Sequence, residues 1–378
     1  MIPIAKPYIT REDARAVYQT ILTGWVTQGP KVKEFENNFA AYIGTKYAVA
    51  VSSCTAALHL AMIVCGIKAG DEVVCPSLSF IATANAIRYV GARPVFADVD
   101  RSTYNLDPSC VEKVITDKTK AILIVHQFGM PADIDGFKKL CEKYHLKLIE
   151  DAACAIGSIY KGKKVGIHSD LVCFSFHPRK VITTGDGGII TTSNSKYYQR
   201  LKLLRQHGMS IDDRTRHEAK KIIIEKYLEL GYNFRMTDIQ ASLGITQLKK
   251  VDFILKKRRE IAEKYNQAFK KIPYLVVPSE KNGNKTNYQS YTIQLKKNSP
   301  ISRKKLMGEL LKRDIATRRG VMLIHKEPAY RNLYPHLRVP NSEYISKNSV
   351  TLPLYVQMTR REIKRVIKAL AEVFNLDA

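Results

Sequence analysis

The sequence predicts an α/β protein: a mostly parallel sheet of about seven strands with helices on both faces, followed by a smaller C-terminal α+β domain. Between Tyr47 and Thr192, short apolar runs alternate with helical stretches, the pattern of strands joined by crossover helices. After about Ser193 this alternation stops and long helical segments follow. A chain of 378 residues exceeds what one hydrophobic core usually serves, so we expect two domains, at 1–250 and 251–378.

Seven apolar runs are the predicted strands. They are YAVAV from Tyr47, EVVC from Glu72, PVFADV from Pro94, AILIVH from Ala121, LKLIE from Leu146, LVCFSF from Leu171 and GIITT from Gly188. Helical stretches separate the first five, whereas no full helix separates the last two. Sheets of this kind bind ligands beyond the C-terminal ends of their strands, so we expect the functional site at that edge.

Further elements flank the sheet. An amphipathic segment near Arg11 to Thr23 predicts a first helix, and Gly29-Pro30 marks a turn before the next one. Trp25, the single tryptophan, is either a packing anchor or a substrate contact. The later predicted elements are helices at Lys196 to Gln206, Thr237 to Phe269, Ser302 to Arg313 and Thr359 to Phe374, a charged surface segment at Lys220 to Leu230, and the strand YTIQL.

Composition narrows the class of protein. The net charge of +26 would attract polyanions, but the basic residues are scattered and not interleaved with aromatics. We therefore expect a basic surface with a local anion pocket and neither a nucleic-acid nor a membrane partner. Seven cysteines without a CxxC pair argue against a disulfide framework and a zinc ribbon, and no metal is expected. Without a signal peptide or a membrane-length apolar run, these cysteines indicate the reducing cytoplasm.

Two segments at strand ends are candidate ligand contacts. In SSCTAALHLAM, small hydroxyl residues separate a strand from an apolar helix, and Ser53 is a candidate N-cap. Free N–H groups at a helix start bind phosphate, although a plain capped helix gives the same pattern. In PSLSFIATANA, Phe80 lies just past a strand end, where it either stacks on a flat ring or packs in the core.

Two charged residues lie at or beyond later strand ends. Asp151 ends an apolar strand, where its carboxylate needs a partner: either a protonated pyridine nitrogen or the N–H groups of the next turn. Lys180, in FSFHPRKVITTGDGG, follows Ser175 by five residues and is either a salt-bridge lysine or a nucleophilic amine. The glycines after it lead into a strand rather than a helix, which disfavours a nicotinamide enzyme.

Taken together in this order, these segments resemble the DegT/DnrJ/StrS family of nucleotide-sugar aminotransferases, which are fold-type-I pyridoxal-phosphate enzymes. The resemblance runs nearly end to end. It also includes GWVTQGPKVKEFE, HQFGMPADID, GYNFRMTDIQASLG, RRGVMLIHKEPAY and LPLYVQMT.

The resemblance implies a pyridoxal-phosphate site. In it, Lys180 forms the Schiff base and shuttles protons, Asp151 pairs with the ring nitrogen and Phe80 stacks on the ring. The phosphate contacts it implies are Cys54, Thr55 and Ser175 from the same chain. Asn233 would reach the cofactor phosphate of a neighbouring subunit, which implies a homodimer with shared sites.

The resemblance also gives candidates for binding the substrates. They are His177, Arg235, Arg318, Arg319 and His325, although His177 belongs to a turn and is equally explained as structural. One departure is Cys154, at a position where the family often has glutamine or histidine near the ring hydroxyl. A thiol is a weak donor, so we expect that contact to be lost or water-mediated.

The function implied is transfer of an amino group from L-glutamate to a nucleotide-linked keto-deoxysugar. We expect amination at C4 of a 4-keto-6-deoxy sugar carried by UDP, GDP or dTDP. The dehydratase branch of the family has histidine in place of the lysine, so Lys180 favours transamination. The alternatives are a 3-keto sugar aminotransferase, a pyridoxal-phosphate-binding regulator without turnover, and a basic interaction protein on an inactive scaffold.

Overall fold

The structure, a computed structural model, describes residues 1–211, 222–280 and 283–376. Seven strands form its large sheet, in the spatial order β1-β9-β8-β5-β4-β2-β3. Their bounds are Tyr47–Val51 (β1), Glu72–Pro76 (β2), Arg93–Ala97 (β3), Thr119–Val125 (β4), Lys147–Asp151 (β5), Val172–Ser175 (β8) and Gly188–Thr192 (β9). The predicted mostly parallel, seven-stranded sheet is confirmed. A two-stranded hairpin, Ile159–Tyr160 (β6) and Lys163–Lys164 (β7), lies outside it.

One strand of the sheet runs against the others. β9 pairs antiparallel with both β8 and β1, whereas β8, β5, β4, β2 and β3 pair in parallel. No helix connects β8 to β9, only the loop 176–187, so the chain returns as in a hairpin. As a result Gly188 lies opposite both Ser175 of β8 and Val51 of β1, at the edge where the parallel strands end.

Helices cover both faces of this sheet. Those preceding, connecting or directly following its strands are Arg11–Leu22, Pro30–Ile43, Cys54–Val64, Ala82–Tyr89, Pro108–Glu112, Ile134–Lys143 and Ser195–Leu204. Two separate hydrophobic clusters, one on each side of the sheet, contain fully buried residues such as Phe174 and Cys173 of β8. Because neighbours along one strand enter different clusters, β8 is buried on both faces, as expected of a parallel sheet between helix layers.

The segment expected to be one long helix is two helices, so that prediction was wrong. Asp238–Lys249 ends before Lys250, and Val251–Phe269 begins after it. Lys250 instead directs its ammonium group to the buried carboxylate of Asp13 and to the Thr10 hydroxyl. This ion pair fixes the break against the first helix of the chain. Of the predicted segment Lys220 to Leu230, residues 220–221 lie outside the described residues, and most of the rest is exposed coil.

The C-terminal part contains a four-stranded antiparallel sheet in the order β10-β11-β13-β12. The strands are Leu275–Val276 (β10), Tyr291–Leu295 (β11), Arg318–Arg319 (β12) and Ser349–Leu352 (β13), with helices Arg303–Lys312, Pro340–Asn348 and Arg360–Val373. Short 3-10 helices occupy Gln127–Gly129, Ile324–Lys326 and Arg331–Leu333. None of the described helices is long and apolar enough to cross a membrane.

The hydrophobic cores divide within the helix Val251–Phe269 rather than at its start. Val251 and Leu255 pack into the core of the large sheet. Ile261 and Phe269 pack into the core of the small sheet, where Ile2 from the N-terminus joins them. The boundary at residue 250 therefore stays a prediction, and this helix contributes to both cores.

Candidate active site

The loop 176–187, between β8 and β9, carries Lys180 and is closed by hydrogen bonds to its own ends. The Thr183 hydroxyl donates to the carbonyl of Phe176 (2.7 Å), and the Phe176 N–H donates to the carbonyl of Gly187 (2.9 Å). The Lys180 N–H donates to the carbonyl of His177 (2.8 Å). The loop is therefore a compact turn that places the lysine amine at the C-terminal edge of the sheet.

The Lys180 amine donates a hydrogen bond to the Cys154 thiol, with Nζ and Sγ 3.2 Å apart. Burial works to lower the pKa of Lys180, but Cys154, Cys54 and Asp151 together outweigh it, so the pKa lies above its usual value. Burial and the nearby Asp151 carboxylate raise the pKa of the Cys54 thiol. These four side chains therefore lie close enough together for their charges to interact, and the pKa of the free Lys180 amine stays above its usual value.

Asp151 is the last residue of β5, and its carboxylate is buried. One oxygen accepts from the N–H of Ala153 (3.1 Å) and the other from the hydroxyl of Thr83 (3.1 Å). Burial raises the pKa of Asp151 despite these hydrogen bonds and the charge of Lys180. A buried carboxylate with a raised pKa is short of positive charge, which a protonated ring nitrogen would supply.

A second buried pair lies next to Asp151, and sequence reasoning missed it. His126 Nδ1 accepts the N–H of Ala132 (3.0 Å), so the proton is on Nε2, which donates to Glu150 (2.8 Å). The Ser169 hydroxyl also donates to Glu150. The backbone N–H of His126 donates to the backbone carbonyl of Asp151 (3.1 Å). Burial would raise the pKa of Glu150, but the interactions with His126, Ser169 and His168 together outweigh it, so the pKa is lowered. The pair fixes the backbone that carries Asp151.

A sequence signal for this pair existed. Glu150 interrupts an apolar strand beside Asp151, and His126 directly follows the strand that neighbours it. A carboxylate buried in a strand needs a donor, and a histidine at the adjacent strand end supplies one.

The start of the helix Cys54–Val64 is the candidate phosphate contact. Ser53 is its N-cap as predicted, with its side chain accepting the N–H of Ala56 (3.1 Å). A Cβ added to Gly188 would lie 2.5 Å from the backbone carbon and oxygen of Ser53 and 2.6 Å from the nitrogen of Cys54. Because Gly188 lacks that atom, β9 packs directly on the helix start. Ser175, opposite Gly188 in the ladder, is thereby brought to the same place.

Phe80 lies on the same side of the site as Asp151. It follows β2, and its carbonyl accepts the N–H of Thr83 (3.1 Å), the residue whose hydroxyl binds Asp151. Phe80 is 65% exposed, which is unusual for a phenylalanine that follows a buried strand so closely. The core alternative is thus excluded for Phe80, and its ring is free to cover a planar ligand.

The remaining predicted residues lie around this centre. Arg235 forms an isolated antiparallel β-bridge with Val51. Its Nε donates to the side-chain oxygen of Asn233 (3.3 Å), and Asn233 is exposed. His177 is exposed, and its Nδ1 accepts the N–H of Arg179 (3.3 Å), which supports its structural role in the turn. Asn233 and Arg235 therefore run along the strand end that precedes the helix at Cys54.

His325 is not brought to the surface of the site. It is 1% exposed, and its backbone N–H donates to the hydroxyl oxygen of Ser77 (3.3 Å), which leaves that hydroxyl to donate to Nδ1 (2.5 Å). Burial and the charge of Lys326 lower the pKa of His325. A neutral imidazole in this place holds the loop after β2, which carries Phe80. Arg318 and Arg319, by contrast, are exposed on the edge strand of the small sheet.

Comparison with known proteins decides the family. Residues 7–371 match the model of the DegT/DnrJ/EryC1/StrS aminotransferase family. The chain belongs to this family. A protein of Methanocaldococcus jannaschii described as uncharacterised is 39% identical over 377 residues, covering 99% of this chain and 98% of that protein. The family assignment confirms the resemblance seen in the motifs.

Two solved structures are similar over nearly their whole length. Helicobacter pylori PseC, described as an aminotransferase involved in the biosynthesis of pseudoaminic acid, is 29% identical with a TM-score of 0.92, covering 99% of both chains. The putative sugar aminotransferase Spr1654 from Streptococcus pneumoniae is 29% identical with a TM-score of 0.93 over the same shares. The fold-type-I architecture is confirmed.

Pyridoxal phosphate is the cofactor of this family, and the enzyme is an aminotransferase. The residues described above fit that cofactor. Lys180 offers an amine, Asp151 a buried carboxylate whose pKa is raised despite the charge of Lys180, and Phe80 an exposed aromatic ring. The first turn of the helix Cys54–Val64 offers N–H groups for the phosphate, and Ser175 lies opposite Gly188, which packs on the start of this helix.

Proposed function

We propose that this aminotransferase moves an amino group from L-glutamate to a nucleotide-linked keto-deoxysugar, at C4 of a 4-keto-6-deoxy sugar. The observation that carries the reaction type is the placement of the Lys180 amine and the buried Asp151 carboxylate at the same edge of the sheet. The two similar proteins, one a putative sugar aminotransferase and the other an aminotransferase involved in pseudoaminic acid biosynthesis, support a sugar as the acceptor. The product would enter amino-sugar and surface-polysaccharide biosynthesis.

Each residue has a definite task in this reaction. Bound pyridoxal phosphate supplies an electron sink for the bond that is broken at the substrate carbon. The Lys180 amine would take the proton from the substrate carbon that bears the nitrogen and would later give a proton back, so it would work as a base and then as an acid. Asp151 keeps a proton on the ring nitrogen, because its buried carboxylate favours a cation beside it. Phe80 covers one ring face and keeps water away from it.

The subunits share their sites in this proposal. Asn233 reaches the cofactor phosphate of a neighbouring copy, and Cys54, Thr55 and Ser175 hold it from within the chain. Arg235, next to the same strand end, binds an anionic group of a substrate. The enzyme is therefore a homodimer, and a monomer would lack part of the phosphate contacts.

The cofactor is tested first. The purified protein should be yellow, and borohydride should attach the cofactor covalently to Lys180, as located by peptide mass spectrometry. Lys180→Ala removes both the attachment and the turnover. A colourless Lys180→Ala protein with full transaminase activity would refute the assignment of Lys180.

The substrate is tested with a panel of UDP-, GDP- and dTDP-linked 4-keto and 3-keto sugars, with L-glutamate as donor and mass spectrometry of the products. A mass change matching an amine in place of the ketone, followed by location of the nitrogen at C4, supports the proposal. An amine at C3 would favour the 3-keto alternative. Cofactor bound without turnover of any panel member would favour the regulator.

A further inference from the structure

Arg179, directly before Lys180, is attached to the small sheet by a hydrogen bond. Its carbonyl oxygen accepts from the side-chain amide of Gln289, with the two atoms 3.0 Å apart. Gln289 lies two residues before β11, which runs in the interior of that sheet. The loop that carries the reactive lysine is therefore fixed against the start of β11, and Arg179 lies where the two parts meet.

The strand register shows which face of the small sheet turns away from its core. Tyr291 and Ile293 of β11 are in the hydrophobic core, so Thr292 between them points to the opposite face. Thr292 lies opposite Thr351, and Thr351 opposite Arg318. The two threonine hydroxyls are 2.9 Å apart, which confirms that they share a face. Arg318 continues this row, two strand spacings or roughly 10 Å from Thr292.

Arg179 and Arg318 are electrostatically coupled, and neither has an acidic partner among the residues that the structure describes. Burial, and then the positive charge of Arg318, lower the pKa of Arg179. Both side chains are exposed, and two neighbouring guanidinium groups without a carboxylate between them make this place positively charged, which attracts an anion.

Arg319 differs from Arg318 in the face of the strand that its side chain leaves and in having an acidic partner. It lies opposite Val350, a core residue, so its side chain leaves the strand on the other face. Its guanidinium also pairs with Glu327, with nitrogen and oxygen 3.3 Å apart. The sequence offered Arg318 and Arg319 as equal candidates, whereas the structure distinguishes them by face and by charge balance.

We infer that Arg179 and Arg318 together bind the phosphate groups of the amino-acceptor substrate. This inference rests on the proposed function, because it assigns the phosphates of a nucleotide-linked sugar to a specific pair of residues. Guanidinium groups match the geometry of phosphate oxygens and bind them through two hydrogen bonds each. Arg179 next to Lys180 sets the distance between the phosphates and the sugar carbon that reacts.

The test measures binding rather than turnover. The full-length protein loaded with pyridoxal phosphate is titrated with UDP and with inorganic pyrophosphate in a calorimeter, so that the cofactor phosphate site is already filled. Arg179→Gln and Arg318→Gln should each weaken binding of both compounds roughly 10- to 100-fold, the range for one lost charge-assisted contact. Cofactor absorbance and circular dichroism of each variant check that the site and the fold are intact.

Two further variants serve as comparisons. Arg365 lies on the last helix, is similarly exposed, and pairs with Asp314, with nitrogen and oxygen 3.2 Å apart. Arg365→Gln should leave the binding of both compounds unchanged. Arg319→Gln should weaken binding far less than Arg318→Gln. A loss as large as that of Arg318→Gln would overturn the assignment of faces and hence the pairing with Arg179.

The outcomes separate this inference from the reaction itself. Binding by Arg179→Gln and Arg318→Gln as tight as by the unaltered protein overturns the phosphate assignment, even if nucleotide-linked keto sugars are turned over. Failure of the unaltered protein to bind either compound overturns it as well. If both compounds bind through these arginines while no keto sugar is aminated, the phosphate site stands and the proposed reaction falls.

Discussion

Gly188→Ala is the most direct test of the close packing between β9 and the helix Cys54–Val64. The new Cβ would lie 2.5 Å from backbone atoms of Ser53, where ordinary contact begins at 3.4 Å. The strand and the helix start must therefore separate by roughly 0.9 Å, because backbone atoms cannot rotate away as a side chain can. Gly188 pairs with both Ser175 and Val51, so the shift strains two ladders, and we expect a loss of about 1–3 kcal/mol of unfolding free energy.

The same shift opens the candidate phosphate site, so the affinity for pyridoxal phosphate should fall more than the global stability suggests. Chemical unfolding of the cofactor-free protein gives the first quantity, and titration of cofactor absorbance gives the second. Gly308→Ala is the control, because a Cβ there meets nothing within 4 Å and lies inside the helix Arg303–Lys312. It should stabilise the protein by about 0.5–1 kcal/mol and leave the cofactor affinity unchanged. A Gly188→Ala protein with unaltered stability and affinity would refute the packing argument.

Three further substitutions test the charges of the site. Asp151→Asn should raise the thermal stability of the cofactor-free protein at neutral pH, because burial raises the pKa of Asp151 and the ionised carboxylate therefore destabilises the folded state. This gain in stability should vanish below about pH 3.8, where the carboxyl group is protonated in the folded and the unfolded protein. Turnover by the Asp151→Asn protein should fall about 100-fold or more. Glu150→Gln should lower the free energy of unfolding at neutral pH by about 1–3 kcal/mol. Chemical unfolding should show this loss shrinking as the pH falls from 4.5 through the lowered pKa of Glu150. A loss that does not change with pH would contradict an ionised Glu150 carboxylate in the pair with His126. Cys154→Ala should lower the pKa of Lys180 in the cofactor-free protein, seen as a shift to lower pH in the rate of cofactor loading, and an unshifted profile would contradict the thiol contact.

The architecture could be predicted because its signals are local. Each strand of the large sheet is a short apolar run, and the change of direction at β9 follows from the missing helix before it. The break at Lys250 could not be predicted, because no glycine or proline marks it. It depends on Asp13, a residue more than two hundred positions away that attracts the lysine ammonium. A pattern read along the chain contains the helix periodicity but not this long-range partner.

The candidate site, like the fold, has a part that local sequence signals predict and a part that depends on contacts between distant residues. Asp151, Lys180 and the helix start at Ser53 stand at strand ends, and the topology of a parallel sheet brings such positions to one edge whatever the details of packing. What surrounds them depends on the pairing of specific atoms. Cys154 accepts a hydrogen bond from Lys180, since a thiol that donates weakly can still accept, and the expected loss of its cofactor contact stays a prediction. Motif order therefore predicts where the candidate site lies, whereas the contact between Lys180 and Cys154 depends on packing that only the folded chain shows.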